Sequence, residues 1–456
     1  MFKGSTRGLV VAAAFTLLAT ITPASLRADT PATMPAPTIA PPSIPNKTFS
    51  IADYGAVGDG TTLNTDAITK ALTACSQAGG GTVLVPAGKF LTGPFTLVSN
   101  LDLKIDQGAT LIFSDDNTLY PVAPDPTNPS SEGNGQFYKD FISGDHLHDL
   151  AITGAGTIDG QGAKWWKAFA PFKNDMHNPA APPHRPLLIN IKYCQRIDIE
   201  GVTLTNSPMM HLATLACQDV LISGITIIAP PKSPNTDGLD PSGSNYLIKN
   251  CNISTGDDNI ALKPVKGAID GHPACENFLI TDCTFGRGHG MSVGGQTSGG
   301  LNNVTVQNCT FQGTDAGIRM KAPRGSGGLV QNLTYNNLTM DGVKHAISIS
   351  SVYPIPKVID FGTTRPADDK TPIWKDIQIS NVTATDSSYA GEIIGLPEMP
   401  ITGITFTNVK IAAKHSLRVQ NANQIKFVNS EIDVEDPPAV AIIDATVEGI
   451  DPLAGK

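Results

Sequence analysis

YLIKNCNI (residues 246–253), FLITDCTF (278–285) and VTVQNCTF (304–311) decide how this chain folds. Each reads apolar, any, apolar, any, then Gly, Asn or Asp, then apolar or Cys, any, apolar. The same pattern occurs as IDIEGVTL from Ile197, VLISGITI from Val220, LTYNNLTM from Leu333, IQISNVTA from Ile377, ITFTNVKI from Ile404 and IKFVNSEI from Ile425, and more loosely as LAITGAGTI from Leu150. The nine clean copies start 23, 26, 32, 26, 29, 44, 27 and 21 residues apart. Alternation with a period of two marks a strand buried on one side, and the Gly, Asn or Asp that breaks it marks a bend. A unit this short cannot bury its inner face alone and must stack on its neighbours.

The expected fold is therefore all-β, a right-handed parallel β-helix (a single-stranded solenoid), with strands of successive coils about 4.8 Å apart. Asn250, Asn308, Asn337, Asn381, Asn408 and Asn429 should form a polar ladder at the bend. Propeller blades need about 40 residues or more, longer than most of these spacings. A leucine-rich horseshoe would need a helix or 3₁₀ turn in each repeat, which these Thr- and Asn-rich segments do not offer. An open coil end exposes strand edges. At the amino end Ala67, Ile68, Ala71, Leu72 and Cys75 make one apolar stripe, so a capping helix is expected over 64–78, started by Asn64 or Thr65.

Residues 1–28 read as a signal peptide: Lys3 and Arg7 precede a short apolar run from Leu9 to Thr20. Residues 29–48 hold six prolines and read as a stiff linker or arm, leaving 49–456 as the β-helix domain. No later stretch is apolar enough to span a bilayer, so the expectation is a secreted protein, extracellular or periplasmic. The net charge of −9 on 456 residues argues against nucleic acid or anionic membrane as partners. Seven cysteines are an odd number for an exported chain. Cys251, Cys283 and Cys309 share one position in the repeat, and Cys194, Cys217 and Cys275 each stand three residues before a copy. That equivalence suggests stacked, buried thiols more than a disulfide scaffold.

Four polar clusters follow the bends of four consecutive coils: Asn235-Thr236-Asp237, Gly256-Asp257-Asp258, Gly288-His289-Gly290 and Arg319-Met320-Lys321. Counted from the start of their own repeat copies, Asp237, Asp257, His289 and Arg319 lie 17, 11, 11 and 15 residues on. Any one alone would read as a turn or a solvated strand. Four in one phase should gather on one face as three carboxylates, an imidazole and two fixed cations, a set suited to acid/base chemistry on an anionic substrate. Neighbouring Asp257 and Asp258 would point to opposite faces of a regular strand, so Gly256 is expected to permit a bend or an unusual dihedral that turns both outward.

NTDGLDP (235–241), TGDDNIALK (255–263), GRGHGMSVGG (286–295) and GIRMK (317–321) resemble the four signature motifs of the polygalacturonases, glycoside hydrolase family 28. The opening IADYGAVGDGTTLNTDAI is similar to the amino-terminal coils of that family, and the resemblance runs over roughly residues 49 to 430. It implies inverting hydrolysis of α-1,4-galacturonosyl linkages in polygalacturonic acid or pectin oligosaccharides. Asp257 would be the general acid, Asp237 and Asp258 would activate water, and His289 would tune the acid. Arg319 and Lys321 would bind the sugar carboxylate, with Tyr353 and Asn235 also touching substrate and no cofactor or metal needed by a monomeric enzyme. Lys263 is expected to pair with a neighbouring carboxylate. Arg287, Met291 and Met320 depart from the commoner residues of the motifs but leave every catalytic type in place. The alternatives are a calcium-dependent pectate lyase and a glycan-binding β-helix without turnover.

Overall fold

Ile197, Val220, Tyr246, Phe278, Val304, Leu333, Ile377 and Ile404, the first residues of eight successive copies, are register partners of one another in unbroken order, every pair parallel. The stack continues toward the amino end through Leu150, Leu101 and Gly81. The computed structural model describes residues 37–453, apart from 125–135, 173–177, 179, 265–273 and 363, together with Met1 and Gly4. Met1–Pro31 and Ala32–Lys456 are separate units. Apart from Met1 and Gly4, the expected signal peptide lies outside the described residues.

The architecture is an all-β parallel solenoid. The first, third and sixth positions of the copies point inward, giving an apolar column that only half-buried Ser430, in the last copy, interrupts. Tyr246 stacks on Phe278 at 4.3 Å and Phe406 on Phe427 at 4.5 Å between ring centroids. Period-two burial within a strand and identical register between strands bring like on like. All seven cysteines are buried with free thiols. The equivalent positions stack as small apolar side chains, with Cys251, Cys283 and Cys309 each directed at a backbone carbonyl two residues earlier.

Two bends frame each strand, where the sequence suggested one. The expected bend residues Asn250, Asn308, Asn337, Asn381, Asn408 and Asn429 all take left-handed backbone conformations. So do the residues just before the copies: Arg196, Asp219, Asn245, Asn277, Asn303, Asn332, Asp376 and Gln424. Asn and Asp tolerate this region because their short polar side chains hydrogen-bond locally. The ladder expected at the first bend is interrupted: Asn337 donates to Asn308 at 2.8 Å and Asn408 to Asn381 at 3.1 Å, but Asn381 donates to Asn336 rather than Asn337. A second ladder joins Asn303, Asn277, Asn245 and Asp219 at the other bend.

At the amino end a helix, α1 (Thr65–Gln77), buries Ala67, Ile68, Ala71, Leu72 and Cys75. Asn64 stands at its N-cap position but makes no capping bond. Its amide instead donates to the carbonyls of Val57, Thr62 and Leu91, and its oxygen accepts from Val57 N. Thr65 likewise turns its hydroxyl to Gly93 N. The Pro-rich arm is tied down at its end, where Ser43 N donates to Asp149 and Thr48–Ser50 pairs with Gly81–Val85. Among the described residues no helix is long and apolar enough to cross a membrane.

Candidate active site

Asp237 precedes the strand Leu239–Lys249, Asp257 and Asp258 precede Ile260–Leu262, His289 precedes Met291–Gly294, and Arg319 and Lys321 lie in Ala316–Lys321. Those strands are stacked neighbours: Leu239 pairs with Ile260, Ile260 with Met291 and Met291 with Ile318. Residues far apart in sequence thus meet within a few coil spacings.

The glycines of the motifs make that approach possible. Gly256 and Asp257 lie in the expected bend, and Gly256 takes no left-handed conformation there. A Cβ there would sit 2.4 Å from Ser233 O, so the residue is required for close packing of one coil on the next. Gly290 has both constraints, with φ of 84° and a Cβ position 1.9 Å from Ala316 O. Hydrogen bonds lock the turns between: Thr255 Oγ1 donates to Asp257 O, His289 N donates to Asp257 O, and Asn259 Oδ1 accepts from Gly290 N.

Asp258 is the most heavily bonded of the three carboxylates. One oxygen accepts from Arg319 Nη1 at 2.6 Å and from Ser292 Oγ at 2.8 Å, and the other from Lys321 Nζ at 2.8 Å. Burial works against its charge, but Lys321, His289 and Arg319 hold its carboxyl well below the usual carboxylate range. His289 Nδ1 lies 2.9 Å from Asp257 Oδ1 and 3.5 Å from Asp258 Oδ1. The first is an ion-pair contact with its N–H angled away from a straight hydrogen bond. Burial alone would lower the His289 pKa, yet Asp257 and Asp258 raise it to about 9. For Asp257, burial and Asp258 favour the neutral form, but His289 and Lys321 outweigh them and lower its pKa.

Asp237 has the opposite environment. It is buried, and burial, together with Asp240, Asp257 and Asp258, pushes its pKa well above the usual value despite Lys263. Lys263 Nζ is 2.8 Å from Asp237 Oδ2 and also ion-pairs with buried Asp240. The expected pairing of Lys263 with a carboxylate is thus a bridge between two. Beneath Asp237, fully buried His211 donates from Nδ1 to the Asp237 carbonyl at 2.9 Å, and burial lowers its pKa to about 4, keeping the ring neutral.

Asn235 accepts from Arg185 Nη2 at 2.9 Å, and Arg185 Nη1 donates to the carbonyls of Pro208 and Pro234. The buried guanidinium lies 4.2 Å above the Phe169 ring. Arg185, His211 and Asp240 escaped the sequence reading. Asp240 stood inside a quoted motif, whereas the other two lie in stretches without the repeat pattern. A cavity of about 480 Å³ opens beside the cluster, lined by Arg319, Lys321 and Tyr353, with Ile355, Pro356 and Lys357 on its wall. The Tyr353 ring centre is 5.3 Å from Lys321 Nζ and 5.9 Å from Arg319 Cζ.

Asp257, Asp258 and His289 bring their ligating atoms within 4.8 Å of one another, close enough to suggest a cation site. The donor set argues otherwise. Calcium takes about 6–8 oxygen ligands, and both oxygens of Asp258 are already engaged by fixed cations.

Residues 75–432 match the family model described as glycosyl hydrolases family 28. Over 79% of its length the chain is 35% identical to a probable polygalacturonase of Vitis vinifera, covering 74% of that protein. It is 32% identical over 79% of its length to an endo-polygalacturonase of Pectobacterium parmentieri, covering 87% of it. The solved structure of a polygalacturonase from Erwinia carotovora ssp. carotovora superposes with a TM-score of 0.64 at 28% identity, spanning 92% of this chain and 99% of that one.

Proposed function

The chain belongs to glycosyl hydrolases family 28, and from that premise we propose that it hydrolyses the α-1,4-galacturonosyl linkages of polygalacturonan with inversion. The observation that carries this reading is the meeting of Asp237, Asp257 and Asp258 with His289, Arg319 and Lys321 on adjacent coils.

Asp257 is the general acid. Its side chain keeps 23% of its surface exposed, against 5% for Asp237 and 3% for Asp258, so a glycosidic oxygen reaches it most directly. His289 holds the proton up to about pH 9 while Asp257 is ionised. The imidazolium hands it across 2.9 Å to Asp257, which passes it to the leaving oxygen as the C–O bond breaks, leaving His289 neutral. Water attacks the opposite face and gives up its proton to the remaining carboxylates. Of these Asp237 is the stronger base, because its proton affinity is raised. Asp258, held ionised by Arg319 and Lys321, supplies a fixed negative charge beside the oxocarbenium-like centre. Arg319 and Lys321 also meet the sugar carboxylate, the first as a fork and the second as a point charge. Tyr353 and Asn235 complete the contacts.

We infer further that the coil is right-handed, as parallel crossovers strongly favour, that α1 caps its amino end, and that the enzyme is exported to the periplasm or medium and acts as a monomer. The two cations on Asp258 favour hydrolysis over a calcium-dependent elimination. The test is digestion of polygalacturonate, which should release reducing ends without ultraviolet-absorbing unsaturated products and continue in the presence of a chelator. Unsaturated products, or binding without turnover, would overturn the reading.

A further inference from the structure

Asp237 is surrounded by more charge than its chemistry requires. Lys263, immediately after Ile260–Leu262, reaches back across one coil and places Nζ 2.8 Å from Asp237 Oδ2 while pairing with Asp240 on the strand Leu239–Lys249. Asp237 and Asp240 are both buried, their side chains 5% and 6% exposed. One ammonium, itself partly exposed, therefore serves two buried carboxylates, and burial pushes the pKa of both upward. The other charges facing Asp237 are Asp257 and Asp258, with neutral His211 below its backbone carbonyl.

We propose that Lys263 and Asp240 are positioning residues that set the ionisation of Asp237 from opposite sides, Lys263 favouring the carboxylate and Asp240 opposing it. Neither touches substrate in this scheme. The inference rests on Asp237 acting as the base. An ion pair alone would have needed one partner. A second buried carboxylate on the same ammonium weakens its hold on Asp237, so that burial keeps the affinity of Asp237 for a proton high. Burial makes the arrangement sensitive, since charges at this separation shift a carboxyl by about 1–3 pH units in partly desolvated surroundings.

The two residues carry opposite signs, and the experiment exploits this. The acidic limb of kcat/KM against pH on polygalacturonate is measured for the parent, Lys263→Met, Lys263→Arg and Asp240→Asn. Losing the ammonium should move the limb up by about 1–3 pH units, Lys263→Arg should return it most of the way, and Asp240→Asn should move it down. A merely structural role would lower kcat or thermal stability in all variants without opposed shifts. Limbs that stay in place, or move together, would overturn the proposal. Should Lys263→Met fail to fold, Asp240→Asn and Lys263→Arg still decide it. Carbon-13 titration of labelled aspartate carboxyls, with Asp237→Asn assigning the signal, reads the same shifts without turnover. Loss of the proposed function is thereby kept distinct: an inactive parent whose Asp237 signal still shifts oppositely in the two variants fails the first reading and keeps the second.

Discussion

Asp257 Oδ1 and His289 Nδ1 lie 2.9 Å apart although they are distant in sequence, because a whole coil intervenes and the two fall at the same phase of it. Their pairing decides where the exchangeable proton of the site resides. Burial penalises charge on both groups, yet mutual attraction keeps the imidazole protonated and the carboxyl ionised.

Replacing Asp257 by Asn keeps the shape and removes the proton donor. Hydrolysis of polygalacturonate should fall by about 10²–10⁴-fold, while oligogalacturonate still binds in calorimetry with near-parental affinity. Retained turnover would transfer the acid role to another group.

The His289 pairing also makes stability depend on pH. Its folded pKa of about 9 exceeds the ordinary histidine value of about 6.5. The stabilisation is therefore full below about pH 6.5 and is lost as pH rises through 9. With about a third of the ring exposed, the loss should be on the order of 2 kcal/mol. Urea unfolding of the parent should show it, and His289→Gln should flatten the slope across that window. An unchanged slope would mean that the imidazolium adds nothing to the fold.

Arg319 is shared between Asp258 and the expected sugar carboxylate. Arg319→Ala removes a charge-assisted hydrogen bond worth about 1.5–3 kcal/mol, so KM on polygalacturonate should rise by about 10–100-fold. Lysine in its place should recover only part, because an ammonium cannot reproduce the fork that grips Asp258 while facing a ligand. A parental KM in Arg319→Ala would remove Arg319 from the binding role.

The coil was legible because its physics is local and repeated. Alternation fixed the strands, and Asn, Gly or Asp at the fifth position fixed one bend. The other bend was equally written in the sequence: a left-handed Asp219, Asn245, Asn277, Asn303 or Asn332 stands directly before its copy, one place before the eight-residue pattern begins. The main site clusters were legible because constant phase on stacked coils converts spacing into proximity. The bend at Gly256 was legible but its cause was not, because two demands select glycine, an unusual dihedral and a missing Cβ, and a sequence cannot separate them. Asp240 and Lys263 were visible as residues, but their bridge depends on side-chain reach between coils. His211 and Arg185 act through backbone carbonyls, which carry no residue signature.

Arg185 gives that last point a measurable form. Its guanidinium holds the carbonyls of Pro208 and Pro234 on two successive coils, together with the side chain of Asn235. Truncation to methionine keeps the apolar stem over Phe169 but leaves several buried acceptors without these donors, at about 1–3 kcal/mol for each unsatisfied group. Denaturant unfolding should register that loss. Because Asn235 is also released beside Asp237, KM should rise too. Arg185→Lys separates the effects: one ammonium on a flexible stem can serve a carbonyl but not all three acceptors in the fixed fork. That variant should therefore restore part of the stability and little of the KM. Equal recovery of both would mean that Arg185 only fastens the coils together, and that the orientation of Asn235 is set elsewhere.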